Sequence, residues 1–265
     1  MINKSTSIPK LHVRYKRFQK NMKDVWESFL IVEFYTPKIK ELIKNDLLPS
    51  LTIDTFTSDS IRVLNKDNTY GALSSLERRG NFRRTLLEAI LIFEDYMSDL
   101  IELVYLDLPN KLTSKQDNNE NHQKILNLIL NCSSKDEMIE MLVEEKIRKV
   151  FYGNPLDVFE KDKAKLNFGS FFKDNCSLEI KKLKEIIATR NIIAHNNGKV
   201  DRKYLRETDA TVNLGSVIKL NREVIKDSVY ILYFFATHSA RLVVENIYKE
   251  TPSGNLGKAI NSLKK

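Results

Sequence analysis

Arg190 and His195, five residues apart, are the pair in this sequence best suited to chemistry. A guanidinium group stays charged at physiological pH and can bind a phosphate through two parallel hydrogen bonds. An imidazole titrates near neutral pH, so it can take a proton from a 2′-hydroxyl or return one to a leaving oxygen. Asn191, next to the arginine, can orient either group. These three residues are therefore candidate catalytic residues for cutting a phosphodiester without a metal.

The segment around this pair is strongly basic. Residues 181–206 contain eight Lys or Arg against two acids, and residues 1–23 contain seven against none, whereas residues 85–108 contain six acids and no Lys or Arg. Concentrated positive charge attracts a polyanion by releasing its counterions, so RNA or DNA is the expected partner; a solvated surface is the alternative. The candidate RNA-binding residues near the histidine are Asn196, Lys199, Arg202 and Lys203.

Composition excludes several other classes. The 265 residues are 42% hydrophobic and 29% charged, which is typical of a folded globular chain, and the scarcity of Gly (8) and Pro (6) favours helices. Cys132 and Cys176 lack the paired spacing of a disulfide framework or a zinc site, as is usual in a reducing cytosol. The sequence contains no membrane-length apolar run, Gly-rich phosphate loop or metal-ligand cluster. We therefore expect a cytoplasmic protein without a cofactor, a bound metal or a membrane segment.

Apolar periodicity predicts an all-α fold, a bundle of long antiparallel helices. The predicted helices cover about 11–35 (breaking at Pro37 or continuing to about 48), 80–107, 123–131, 134–151, 177–196 and 221–249, with a possible small β-hairpin near 211–220. Ser134 and Glu137 form a capping-box pattern, and Asn196-Asn197-Gly198 is a helix stop signal. We expect three parts: an N-terminal helical extension and connector (1–75), a helical domain (76–250) and a loosely held tail (251–265).

Helix geometry constrains the candidate pair. Five steps of about 100° place Arg190 and His195 roughly 140° apart on a regular helix, so they do not converge within one straight helix. The helix can tighten or unwind at 196–198, or two copies can meet about a two-fold axis and combine their pairs. We expect a combination of the two, and hence a homodimer with one composite cleft. Spacing alone also fits a surface arginine and a histidine that caps the helix end.

The run from Ala188 to Leu205 resembles the signature segment of HEPN-domain proteins (higher eukaryotes and prokaryotes nucleotide-binding). It is most similar to the larger bacterial branch associated with RNA targeting and phage defence. The family motif is an arginine, a following polar residue and a histidine about four to six residues after the arginine, matched here by Arg190, Asn191 and His195. The His-Asn-x-Gly continuation through Tyr204, the acidic helix at 89–103 and the segment 137–153 extend the resemblance over roughly 76–249.

The resemblance implies an all-helical domain that dimerises around the Arg/His motif and cuts RNA without a metal, leaving a 2′,3′-cyclic phosphate and a 5′-hydroxyl. It also implies a role in toxin–antitoxin or anti-phage defence, with an antitoxin or another defence protein as a partner. Several family members are inactive scaffolds, so the alternative is a non-catalytic module that binds RNA or protein. Some HEPN toxins carry a tyrosine two residues after the histidine, which a nucleotidyltransferase modifies. Asn197 occupies that position, so we do not expect that mode of neutralisation.

Overall fold

The computed structural model describes residues 4–55, 60–112, 132, 134–151 and 154–263. In that part of the chain the fold is predominantly helical with one small antiparallel hairpin, which confirms the predicted fold class. The helices are α1 (Lys4–Lys44), α2 (Lys66–Ser75), α3 (Asn81–Asp107), α4 (Lys135–Phe151), α5 (Asp157–Glu160), α6 (Phe171–Asn175), α7 (Ser177–Asn196), α8 (Arg202–Thr208), α9 (Arg222–Val243) and α10 (Gly254–Leu263). Strands β1 (Leu51–Asp54) and β2 (Ile61–Leu64) form the hairpin, and π-helical turns cover Leu76–Gly80 and Val244–Tyr248.

Helices α1, α3 and α9 pack together and supply most of the core. Each buries a stripe with helical spacing, such as Leu11, Tyr15 and Phe18 on α1. Helix α1 continues through Pro37, a position at which the sequence allowed either a break or a continuous helix. Thr36 and Ile43 are buried on either side of that proline, so packing maintains the helix there.

Helix α10 corrects the expectation of a loosely held tail. Leu256, Ala259 and Ile260 are buried in the same hydrophobic cluster as the core residues of α1, α3 and α9. Their spacing of three and four residues gives α10 one apolar face. This pattern is hard to recognise in the sequence because the helix is only ten residues long. The first and last helices therefore belong to one core with the central helices.

The hairpin lies in the segment 49–75, which the sequence analysis interpreted as a connector, and not near 211–220. Around 211–220 the backbone turns at Gly215, and an isolated antiparallel bridge joins Lys199 to Val217. The branched residues there pair with the segment after α7 instead of with one another. The predicted helix at 123–131 and the turn residue Gly153 lie outside the described residues, while the Ser134 cap of α4 is confirmed by its bond from the Glu137 amide at 3.1 Å.

Among the described residues, no helix is both long enough and apolar enough to cross a bilayer.

Candidate active site at the end of helix α7

The stop signal ends helix α7 as the sequence predicts. Asn196 is the last helical residue, and Asn197 adopts the left-handed conformation with φ 49°. The amides of Asn197 and Gly198 both donate to the Ile192 carbonyl, the second at 2.7 Å. The Lys199 amide in addition donates to the Asn196 carbonyl at 2.9 Å, and these bonds together fix the direction of the chain after His195.

Arg83 on helix α3 holds this terminus in place. Its Nη1 donates to Asn197 Oδ1 at 2.7 Å, and its Nη2 donates to the Asn197 carbonyl at 2.9 Å. Gly198 has φ +77°, and a Cβ at this position would lie 2.7 Å from Arg83 Nη2. We call these two Arg83–Asn197 hydrogen bonds the Arg83 clamp. Glycine at position 198 suits the clamp because it adopts this backbone conformation without strain and leaves space for the guanidinium group. Arg83 is not among the residues predicted from the sequence, because no local spacing connects it with Asn197, 114 positions away.

Arg190 points towards helix α3 and is partly exposed, with 35% of its side chain accessible. Its Nη2 lies 3.2 and 3.1 Å from the two carboxylate oxygens of Glu94, and its Nη1 donates to Asn191 Oδ1 at 3.1 Å. Asn191 thus contacts the guanidinium group directly, and its orienting role stays a prediction. Glu94 is a second residue of the site that was not predicted from the sequence. It is one of the six acids in residues 85–108, which lie mostly on α3.

His195 is exposed on a different side of helix α7. It lies one helical turn after Asn191, and both residues line a cleft of about 330 Å³ between α7 and α8, which we call the α7–α8 cleft. Arg190 does not line this cleft. Since α7 is helical through Asn196, no tightening turns His195 towards Arg190 within one subunit. The first of the two predicted arrangements, a change in the helix at 196–198 that turns His195 towards Arg190, is not seen, and the pairing of two copies stays a prediction.

The predicted RNA-binding residues divide between the cleft and its surroundings. Asn196 and Lys203 line the α7–α8 cleft, while Lys199 and Arg202 are exposed outside it. The Asn196 amide nitrogen donates to the Lys199 carbonyl at 2.8 Å, so this side chain closes the turn after α7. Lys203 Nζ lies 3.9 Å from Glu207 Oε1, an exposed pair that holds the lysine weakly.

Helix α8 forms the other wall of the α7–α8 cleft, and Asp201 caps its first turn. Asp201 Oδ1 accepts the Tyr204 amide hydrogen bond at 2.7 Å. Tyr204 is buried in a small apolar cluster with Ala188, Ile192 and Val200. This packing joins α8 to α7 and sets the width of the cleft.

The two cysteines, Cys132 and Cys176, do not line the α7–α8 cleft. Cys176 is buried, and burial raises the pKa of its thiol to about 11, so it stays protonated at neutral pH. Within the described parts of the chain, His, Cys, Asp and Glu do not gather in a group of three or more that could hold a metal ion.

Comparison of the chain with family models, with curated proteins and with solved structures gives no match.

Proposed function

We propose that this protein is an endoribonuclease of the HEPN type, which cuts RNA without a metal at a site that two copies of the chain build together. The observation that carries the proposal is that Arg190 and His195 leave the same helix end in different directions while both remain accessible to solvent. About a two-fold axis, Arg190 of one copy can face His195 of the other. The resemblance of residues 188–205 to the HEPN signature supports the same conclusion.

The surface around Arg190 supports contact with a second copy. Leu91 lies one turn before Glu94 on α3 and is 65% exposed, and Ala194 lies one turn after Arg190 on α7 and is also exposed. Exposed apolar side chains beside a candidate catalytic group are suited to an interface that excludes water from it.

The reaction is an internal transesterification followed by release of the product. The 2′-oxygen of the RNA forms a bond to phosphorus, the bond from phosphorus to the 5′-oxygen breaks, and a 2′,3′-cyclic phosphate and a 5′-hydroxyl result. His195 accepts the proton from the 2′-hydroxyl, and the imidazolium so formed returns a proton, through water, to the leaving 5′-oxygen. Arg190 stabilises the charge on the phosphoryl oxygens, and Asn191 orients its guanidinium group.

The biological setting belongs to the same proposal. A cytoplasmic RNase of this kind serves as a toxin or as an effector against phage, and an antitoxin or another defence protein binds it to control cleavage. Lys203 and Asn196 in the cleft, with Lys199 and Arg202 beside it, guide the RNA backbone towards the site.

Cleavage of a labelled RNA in EDTA tests the proposal. We expect the purified protein to cut, and His195→Ala and Arg190→Ala to lose cleavage by a factor of about 100 or more. The matched control is His12→Ala, which removes a histidine on α1 outside the α7–α8 cleft. Cleavage that stops in EDTA, or that persists in His195→Ala, contradicts the mechanism.

A second candidate function is a non-catalytic module that binds RNA or protein through the same surface. The contact between the Glu94 carboxylate and the Arg190 guanidinium group favours this function, because the carboxylate takes the position at Nη2 where a phosphate would bind. In that case wild type and His195→Ala bind RNA equally and neither cuts it.

A further inference from the structure

A groove lies between helices α1 and α9, away from the candidate active site. It has a volume of about 490 Å³, and none of its lining residues belongs to α7 or α8. Met22 and Val229 form part of its apolar floor, while Trp26 and Tyr230 stand on opposite walls. We call it the α1–α9 groove. Its size suits one or two flat ring systems better than a folded protein segment.

Aromatic faces are the first feature of this groove. Trp26 is partly exposed and stacks on Phe29 behind it, with ring centroids 5.3 Å apart. Tyr230 is 48% exposed. Tyr233 is held between the helices, because Gln19 Nε2 donates to its hydroxyl at 2.7 Å. Rings that are supported from behind and open in front are the platforms on which unpaired bases stack.

Positive charge is the second feature. Lys23 lines the groove from α1 and Lys226 lines it from α9. Lys16 and Lys20 precede Lys23 by seven and three residues, so the three lie on one face of α1 and form a cationic row that leads to the groove. Among the described residues, Lys16, Lys20 and Lys226 form no ion pair, while Lys23 pairs with Glu27 at 3.5 Å.

The two arginines of residues 1–23, Arg14 and Arg17, contact helix α3 and do not line the α1–α9 groove. Arg14 bonds to the Asp99 carbonyl and pairs with Glu102 at 2.6 Å, and Arg17 pairs with the Asp99 carboxylate. Helix α3 thus neutralises Arg14 and Arg17, while Lys16 and Lys20 on α1 stay available to a ligand.

We propose that the α1–α9 groove binds single-stranded RNA, whose bases stack on Trp26 and Tyr230 while its phosphates lie beside the lysines. A cationic row next to aromatic faces is complementary to a flexible polyanion that carries flat rings. An amphipathic peptide helix fits less well, since such a partner needs a continuous apolar groove. The inference rests on the proposed function in that RNA is taken as the ligand, and it assigns the substrate a second contact surface outside the cleavage site.

Trp26 provides a direct test because it is the only tryptophan in the chain. In His195→Ala, which keeps the RNA intact, we expect oligouridine to quench the tryptophan fluorescence. Oligodeoxythymidine should do the same in the unchanged protein, because DNA lacks the 2′-hydroxyl that cleavage requires. Added salt should weaken both interactions.

Matched substitutions locate the binding. Tyr230→Ala should weaken oligouridine binding about tenfold, whereas Tyr35→Ala should not, although Tyr35 is a similarly exposed tyrosine on α1 (53%). Lys226→Ala should weaken binding and reduce its dependence on salt, and Lys258→Ala, an exposed lysine on α10, should do neither. All four positions are on the surface, and circular dichroism checks that each variant is folded.

Three results would overturn the inference: oligouridine that binds without quenching Trp26, equal affinities of Tyr230→Ala and Tyr35→Ala, and equal quenching by polyglutamate. The last result would indicate an acidic peptide or a response to any polyanion. Quenching without cleavage refutes the nuclease and leaves the groove, while cleavage without quenching refutes the groove and leaves the nuclease.

Discussion

In the proposed function, Glu94 and a phosphate compete for the same guanidinium group of Arg190. The carboxylate contacts Nη2 through both of its oxygens and holds the side chain against α3. Such a contact fixes the orientation of the guanidinium group before substrate arrives, but it also offsets part of its charge. A phosphate must therefore share the group or displace the carboxylate. In the proposed mechanism Glu94 is a positioning residue, because it acts through Arg190.

Glu94→Gln separates these two effects. The amide keeps the size of the side chain and one acceptor but removes the negative charge, so we expect the KM for RNA to fall by a few-fold because the guanidinium charge is less neutralised. The kcat should fall about tenfold because the guanidinium group is oriented less well. Steady-state kinetics measures both quantities. Glu88→Gln, at an exposed position of the same helix, is the control and should change neither. A KM and kcat that both remain unchanged would show that Glu94 has no part in the site.

Gly198→Ala tests the Arg83 clamp. An alanine at φ +77° is strained, and its Cβ would also displace the Arg83 guanidinium group from Asn197. Gly215 has a similar φ of +80° but open space around its Cβ position, so Gly215→Ala carries the backbone strain alone. We expect Gly215→Ala to lower the free energy of unfolding by about 1 kcal/mol and Gly198→Ala to lower it by roughly 2 kcal/mol. Urea unfolding measures the difference, and equal losses would mean that the clamp contributes nothing to stability.

At the scale of elements, the sequence predicts what local chemistry determines. Helices α3 and α9 follow from their apolar stripes, and the end of α7 follows from the tolerance of Asn197 and Gly198 for the left-handed conformation. The clamp and the Glu94 contact join residues that are 114 and 96 positions apart, and no local pattern encodes such pairs. The α10 helix was not predicted because it is short and its stability depends on the core against which it packs.

Helices α1 and α9 are joined by a buried pair of hydroxyl groups. Tyr15 is fully buried, and its hydroxyl lies 2.8 Å from Thr237 Oγ1. Thr237 donates its own proton to the Tyr233 carbonyl, so Tyr15 is the donor of the pair. Tyr15→Phe should therefore destabilise the protein by about 1 kcal/mol near neutral pH. Tyr35→Phe, at an exposed position, should have no measurable effect on the unfolding curve.

The same pair gives a dependence on pH. Burial raises the pKa of the Tyr15 hydroxyl above its ordinary value of 10.0, so the folded protein keeps this proton at a pH where the unfolded chain releases it. The stabilisation is complete below pH 10 and is lost as the pH rises above it. The advantage of wild type over Tyr15→Phe should thus shrink above pH 10, by about 1.4 kcal/mol per pH unit. A constant difference between the two proteins up to pH 11 would contradict this assignment.

Across the whole molecule, the charged runs of the sequence are paired with one another. The acidic helix α3 receives Arg14 and Arg17 from α1 and Arg190 from α7. Part of the positive charge that indicated a nucleic-acid partner is therefore neutralised by α3, and what remains on the outer face of α1 is mostly lysine. Charge counted along the sequence predicts a polyanion partner, but only the packing of α3 shows which cations are left to meet one.

A composite site makes a prediction that a site within one subunit cannot make. Arg190→Ala and His195→Ala should each be inactive alone. In a heterodimer of the two variants, one subunit keeps its histidine and the other keeps its arginine, so one of the two intersubunit Arg/His pairs is intact. Co-expression with different affinity tags isolates this heterodimer, and we expect it to recover about half of the wild-type activity per dimer. If both groups act from the same helix, neither subunit has a complete pair, and the heterodimer stays as inactive as its parents.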